Sequence, residues 1–244
     1  MFSLFKKKQL LADCIPEGYV DFHSHILYGI DDGAKTIEDS THLLQAMVDL
    51  RFAKCITTPH TNTSFKTSTH EVIVSRYQET METLSELSKK LDLQVASEYL
   101  IEPELVPLTA AKQLLPLKDL HVLVEIPYLN EPLNLFQQLF EIQLAGYQPV
   151  LAHPERYPFY FNNLNRYKEL KKSGCLFQLN LLSTVGYYGP KIQEIAGYLL
   201  KNDMIDFTGS DIHHQNHVKA FYESVKIKEI PLLIEAMQRN VFFK

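Results

Sequence analysis

Two histidines separated by one residue, His23 and His25, close the run YVDFHSH. Side chains of an extended chain alternate with a period of two, so both imidazoles fall on one face and can share a metal ion. Asp211 and His213, in GSDIH, repeat that spacing. Between the two pairs, His60 ends TTPH, Glu98 ends VASE, Glu125 ends VLVE and His153 ends VLAH, each directly after a β-like run. Asp31 and Asp32 lie in HSHILYGIDDGA, where Gly29 and Gly33 allow the loop to fold back. An ionised carboxylate at the end of a buried strand is costly unless a cation neutralises it. Any one of these residues reads equally well as half of a salt bridge or as part of an Asp/Gly turn. Taken together they form a mixed imidazole and carboxylate set suited to Zn, Mn or Fe.

Such a set needs elements that bring distant segments to one place. The pattern alternates short β-rich runs, near Tyr19–Phe22, Lys54–Thr57, Leu93–Ala96, His121–Val124, Pro149–Ala152, Leu176–Leu179 and Met204–Phe207, with helical stretches. The helices are expected at Ile37–Leu50, Glu71–Leu91, Leu133–Leu144, Leu164–Lys172 and Lys191–Lys201, with two more closing the chain. This alternation is the signature of an α/β fold with parallel strands. In a parallel barrel the C-terminal ends of all strands open onto one face. A doubly wound open sheet concentrates its site at a switch point instead. Six contributing segments therefore favour a barrel.

The chain has 244 residues, 45% hydrophobic and 22% charged, which suits a soluble globular protein. Residues 18–244 are expected to form a single domain, preceded by a basic tail over residues 1–17. Phe2, Leu4 and Phe5 beside Lys6, Lys7 and Lys8 offer a peripheral contact with an anionic membrane surface, or a solvated or docked tail. No run approaches the roughly 20 apolar residues of a membrane span. Lys+Arg 24 against Asp+Glu 29 leaves a net charge of −5, which argues against a nucleic-acid footprint. The 3 cysteines form no CxxC pair, and a reducing cytoplasm fits them. A cysteine phosphatase needs an arginine six positions after its nucleophile; Val20, Thr61 and Leu181 stand there after Cys14, Cys55 and Cys175. No P-loop or dinucleotide-binding motif is present, in keeping with only 9 glycines.

The ordered markers HSHILYGIDDGAKTIEDS, TPHTN, SEYLIEPEL, VLVEIPY, LAHPERY and GSDIHH span nearly the whole chain. In them the sequence resembles the PHP (polymerase and histidinol phosphatase) superfamily, and within it the bacterial protein-tyrosine phosphatases of the CpsB/CapC/YwqE type. The resemblance implies a distorted (β/α)7 barrel of TIM-barrel-like, PHP type. It also implies a cluster of divalent ions, usually three. The implied substrate is phosphotyrosine on a bacterial tyrosine kinase tail that governs capsule or exopolysaccharide assembly. By the same resemblance the metal ligands are His23, His25, Asp31 or Asp32, His60, Glu98, Glu125, His153, Asp211 and His213, with Glu98 bridging two ions. Asp31 is placed among the ligands, and Asp32 with Arg156 among the catalytic groups. Arg156, in HPER, matches a family arginine whose planar fork suits phosphate. The chemistry implied is in-line attack by a hydroxide shared between ions.

Two departures stand out. Tyr28 occupies a position where the family commonly has proline, and the segment after the last motif, HHQNHVKAFYE, lacks the arginine of many members. His214, His217 or Lys219 are candidates to replace that cation, or Arg156 suffices alone. The run Tyr157, Phe159, Tyr160, Phe161 reads as core packing, with the wall of a phenyl-ring pocket as its other role. The competing functions are another PHP phosphoesterase, acting on histidinol phosphate or as a nuclease, and a silent metal-binding partner of a polysaccharide-assembly kinase.

Overall fold

The runs KCIT, HVLVE, QPVLA, LFQLN and FTG are buried almost end to end. Burial on both faces is the mark of parallel strands covered by helices outside and by side chains within. A computed structural model describes residues 8–62 and 68–244. Its strand segments are β1 (Val20–Asp21), β2 (Lys54–Thr57), β3 (His60–Thr61), β4 (Leu93–Val95), β5 (Glu98–Leu100), β6 (His121–Glu125), β7 (Gln148–Ala152), β8 (Leu176–Asn180) and β9 (Phe207–Gly209). They pair in the orders β1-β2-β4 and β3-β5-β6-β7-β8-β9, parallel throughout.

These segments reduce to the seven strands expected. The second strand breaks at Thr58 and Pro59, because proline has no N–H to give to a ladder. The third breaks beside it at Ala96 and Ser97, where Ser97 Oγ and Glu98 N both donate to Pro59 O, at 3.0 and 3.1 Å. The circle closes between the first and last strands. Ser24 bridges Ile212 in parallel, His25 N donates to Ile212 O at 2.8 Å, and Asp211 N donates to His23 O at 2.7 Å. Below that bridge, side chains replace the ladder. Asp21 accepts from Ser210 N and Oγ, both at 2.7 Å, and Asn240 Nδ2 donates to Val20 O and Thr208 O at 2.8 and 2.7 Å. The fold is a distorted seven-stranded α/β barrel.

Val20, Ile56, Ala96, Leu123, Val150 and Phe207 come from six different strands or their ends, yet pack in one apolar cluster. Only the barrel interior lets them meet, and Phe243 plugs it against Phe22 and Phe207 at ring separations of 4.3 and 4.8 Å. The larger core lies outside, under the helices. Helix Ile37–Asp49 starts at a capping box between Thr36 and Asp39 and buries Leu43, Leu44 and Met47. The helix expected over Glu71–Leu91 is two, His70–Thr83 and Ser85–Lys90, with Leu84 off helical geometry between them. A short helix, Leu105–Ala110, had no sequence expectation. The last strand starts at Phe207 rather than Met204, because Asp203 N and Met204 N still close the end of helix Pro190–Lys201 by bonding Leu200 O and Leu199 O.

The N-terminal segment is docked from Gln9 onward. Gln9 O accepts from Val225 N, Leu11 N donates to Glu223 O, and Leu11 and Cys14 are buried. Phe2, Leu4, Phe5, Lys6 and Lys7, on which the membrane-surface contact rested, lie outside the described residues; Lys8 is exposed. Among the described residues no helix is long and apolar enough to cross a membrane.

Candidate metal centre

The strand ends deliver the expected residues to one rim. His23 and His25 follow β1, His60 opens β3, Glu98 opens β5, Glu125 ends β6, His153 follows β7, and Asp211 and His213 follow β9. Register helps directly, since His60 pairs with Glu98 and Leu100 with Glu125. His153 and Asp211 take left-handed backbone conformations, at φ 37° and 51°. Residues other than glycine are uncommon there, and such geometry clusters at functional sites. The loop carrying Asp31 and Asp32 folds tightly under His25, with Ala34 N donating to His25 O at 3.1 Å. A Cβ at Gly33 would lie 2.1 Å from His25 O, so this turn requires glycine.

Glu98 is the hub. Its Oε2 stands 3.1 Å from His23 Nε2, 3.3 Å from His25 Nε2 and 3.3 Å from His60 Nδ1, while Oε1 stands 3.2 Å from His153 Nε2. Asp211 Oδ1 lies 3.2, 3.5 and 3.4 Å from His23 Nε2, His25 Nε2 and His213 Nδ1. Glu125 Oε1 is 3.1 Å from His60 Nδ1, and Asp32 Oδ1 is 3.5 Å from the Nε2 atoms of both His60 and His213. Ligands bound at about 2.0–2.2 Å to one ion stand about 3.0–3.5 Å apart.

Among the described residues four overlapping groupings have donor atoms all within 4.8 Å of one another: His23, Glu98 and His153; His23, His25 and Asp211; His60, Glu98 and Glu125; His25, Asp32, His60 and His213. His23, His25, Glu98, His153, Asp211 and Glu125 are buried. His25 Nε2 and Glu98 Oε1 have no hydrogen-bond partner there. Buried polar atoms without partners are costly and call for an ion or water. The donor set therefore fits divalent cations.

Asp31 plays a different part from Asp32. Its Oδ2 stands 2.8 Å from His25 Nδ1 and accepts from His60 N at 2.9 Å, and its Oδ1 accepts from Gly33 N at 2.9 Å. With both oxygens so engaged, Asp31, expected among the ligands, stands behind His25 and outside all four groupings. Asp32, expected among the catalytic groups, stands inside one. A carboxylate on the far nitrogen fixes the imidazole tautomer and turns Nε2 inward.

Electrostatics keep Glu98 and Asp211 ionised. Burial opposes ionisation of Glu98, but His23 and His60 hold it well below the usual carboxylate range. His23 and His213 do the same for buried Asp211. Burial pulls His60 down, yet Glu98 and Glu125 lift it to about 9. Protonated imidazoles thus supply in the apoprotein the positive charge that cations would supply when bound.

Arg156, mostly buried, donates from Nη1 to Asp211 Oδ2 at 2.5 Å. Its guanidinium carbon lies over two tyrosine rings, with centroids 4.2 Å away at Tyr188 and 5.2 Å away at Tyr128. Of the candidates for a replacement cation, burial pulls His217 down to about 3 and lowers His214 as well, so neither carries charge near neutrality. Lys219 is exposed on helix Gln215–Ala220. Tyr157 and Tyr160 are buried, and Tyr157 Oη bonds Ala152 O and Ile126 N. They are core. The aromatic rings beside Arg156 are Tyr128 and Tyr188, which sequence reasoning did not single out. Gln178 was also missed, although a glutamine inside the apolar run LFQLN is the kind of buried polar residue that signals a partner. Burial raises all three thiols, Cys14 to about 11 and Cys175 to about 12, with Cys55 higher still. Among the described residues no thiol is exposed or activated.

Fold and site together define a class: a parallel α/β barrel with a shared imidazole and carboxylate centre on its C-terminal rim. Residues 19–225 match the family model described as capsular polysaccharide synthesis, CpsB/CapC. The chain belongs to that family. It is 30% identical over 196 residues to the tyrosine-protein phosphatase YwqE of Bacillus subtilis, covering 80% of this chain and 77% of the relative. It is 27% identical over 201 residues to the tyrosine-protein phosphatase CpsB of Streptococcus pneumoniae, covering 80% and 83%. A crystal structure from work on YwqE and CpsB, described as metal-dependent tyrosine phosphatases, is similar with a TM-score of 0.77. Identity there is 28%, over 88% of this chain and 86% of that one.

Proposed function

We propose that this chain is a metal-dependent protein-tyrosine phosphatase acting on a phosphotyrosine protein of capsule or exopolysaccharide assembly, with the tail of a bacterial tyrosine kinase as its substrate in the cytoplasm. The carrying observation is the position of Glu98, whose two oxygens reach His23, His25 and His60 on one side and His153 on the other. His23, His25, His60 and Glu98 each belong to two groupings, an overlap that favours a cluster, read here as three ions of Mn, Zn or Fe. His23, His25, Asp32, His60, Glu98, Glu125, His153, Asp211 and His213 would hold it, and Asp31 would orient His25.

Bound divalent cations supply Lewis acidity and a water of lowered pKa. The chain's own residues do the rest. Asp211 steers the Arg156 guanidinium, whose remaining N–H groups meet the phosphoryl oxygens as charge redistributes over them. Glu98 and Asp211 stay ionised, and together with Glu125 they fix the imidazoles around them. The leaving phenolate, conjugate to a group of pKa about 10, departs without a dedicated general acid.

The test offers a phosphotyrosine peptide, histidinol phosphate and single-stranded DNA to one preparation whose metal content is measured. Peptide turnover that disappears in His60→Ala and Glu98→Ala is the expected result. No phosphate released from the peptide with Mn, Zn or Fe supplied would sink the reading. Turnover of DNA or histidinol phosphate alone would transfer it to another phosphoesterase.

A further inference from the structure

Arg156 bonds one carboxylate of the centre, Asp211, and its surroundings are built rather than incidental. Among the described residues its one hydrogen bond is from Nη1 to Asp211 Oδ2, leaving Nε and Nη2 unused on a side chain that is 19% exposed. A guanidinium has five N–H donors in a rigid plane, and those that Asp211 leaves unused remain available to an anion. The guanidinium carbon lies over the faces of two rings, Tyr188 at 4.2 Å and Tyr128 at 5.2 Å. With ring faces beside the cation and one N–H taken by Asp211, the unused N–H groups are what is left to meet an anion.

Tyr188 is held by a hydrogen bond, and Tyr128, 41% exposed, leans on two other rings. Tyr188 Oη is 3.2 Å from Asn180 Nδ2, and the same nitrogen donates to Asp211 Oδ2 at 2.8 Å. Asn180 N in turn donates to Glu155 Oε1, the residue before Arg156. Tyr128 packs against His153 and Tyr157 at ring separations of 6.1 and 5.8 Å. Three separate segments, after β6, β7 and β8, therefore meet around one guanidinium.

We propose that Tyr128 and Tyr188 are positioning residues that clamp Arg156 with their ring faces, holding its free Nε and Nη2 edge toward a tetrahedral oxyanion above the cluster. The proposal rests on the reading of Arg156 as the group that holds phosphate. A clamped plane binds a bidentate oxyanion with little further loss of side-chain freedom, because the ordering is already complete in the free protein. The clamp acts through its ring faces, so phenylalanine should replace tyrosine at both positions and leucine should not.

The test measures binding of inorganic phosphate to the metal-loaded protein by calorimetry, with metal content determined on each variant. Tyr128→Leu and Tyr188→Leu are each expected to weaken phosphate binding about tenfold, in line with a partly desolvated cation–π contact. Tyr128→Phe and Tyr188→Phe should remain within about twofold of the parent, with metal content unchanged throughout. Leucine variants that bind phosphate like the parent would overturn the clamp. So would phenylalanine variants that lose as much as leucine, since the hydroxyl bonded to Asn180 and not the ring would then matter. Arg156→Met separates the two levels: unchanged phosphate affinity in that variant removes Arg156 from the phosphate site, and the clamp with it.

Discussion

Gln178 Oε1 lies 2.7 Å from His23 Nδ1, inside the barrel and fully shielded from solvent. Its Nε2 donates to Leu179 O at 2.7 Å, so the amide cannot rotate freely and its oxygen faces the ring. His23 would therefore keep its proton on Nδ1 when an ion is bound and offer the Nε2 lone pair to it. In the metal-free protein Nε2 faces Glu98 and Asp211 as a donor. The tautomer of a candidate ligand is set by a residue on a different strand, β8.

Gln178→Leu keeps the volume and removes the acceptor. Metal affinity should drop by about 10- to 100-fold, the usual effect of losing an outer partner of a ligand histidine. Titration with Mn or Zn under competition from a chelator reads this directly. Unchanged affinity would mean that His23 needs no fixed tautomer.

Asp31 and Asp32 should separate in a metal count. Asp31→Asn keeps a polar group behind His25, so the number of ions bound per chain should hold while affinity weakens. Asp32→Ala should lower the number of ions bound when metal is stoichiometric, because its oxygen faces His60 and His213. The reverse pattern would return Asp31 to the ligand set.

The pH dependence of the metal-free protein follows from His60. Burial lowers its pKa, but Glu98 and Glu125 raise it to about 9. A raised histidine contributes stability that is fully present below its ordinary value of 6.5 and is lost as pH climbs through about 9. The Tm of the metal-free protein should fall between pH 7 and 10. With metal bound the imidazoles are already deprotonated, so the loaded protein should not follow this decline. Calorimetric scans of both forms across that range check the sign.

Asn240 connects the two ends of the strand circle, bonding Val20 O and Thr208 O through Nδ2 and Thr208 N through Oδ1. Asn240→Ala leaves these buried groups unsatisfied and should cost about 2–4 kcal/mol. The expected Tm loss is roughly 5–15 °C in a chain of this size. A loss under about 2 °C would show that water takes over the bonds.

The sequence was most readable where chemistry and strand ends coincide. His23, His25, His60, Glu98, Glu125, His153, Asp211 and His213 each follow or end an apolar run, and the structure brings all eight to one rim. The roles of Asp31 and Asp32 were not readable, because neighbouring residues of one type differ only in how the loop turns. That turn is decided by Gly33 pressing against His25. The strand breaks at Pro59 and Ser97 escaped for a similar reason: a proline marks where a ladder weakens, but not that the neighbouring strand bends with it. Tyr128 and Tyr188 carry no local pattern at all, since their meaning comes from an arginine on a third segment.

The closure of the barrel has a consequence for how the molecule comes apart. β1 and β9 meet through a single bridge, with side chains in place of a ladder beneath it. His23 and His25 stand on one bank of that seam, and Asp211 and His213 on the other. Ions held among them would act as rivets joining the chain's beginning to its end. Emptying the centre would then unzip the barrel at its rim first, so amide exchange at residues 23–25 and 210–212 would report metal loss before any change reached β6 and β7 on the far side.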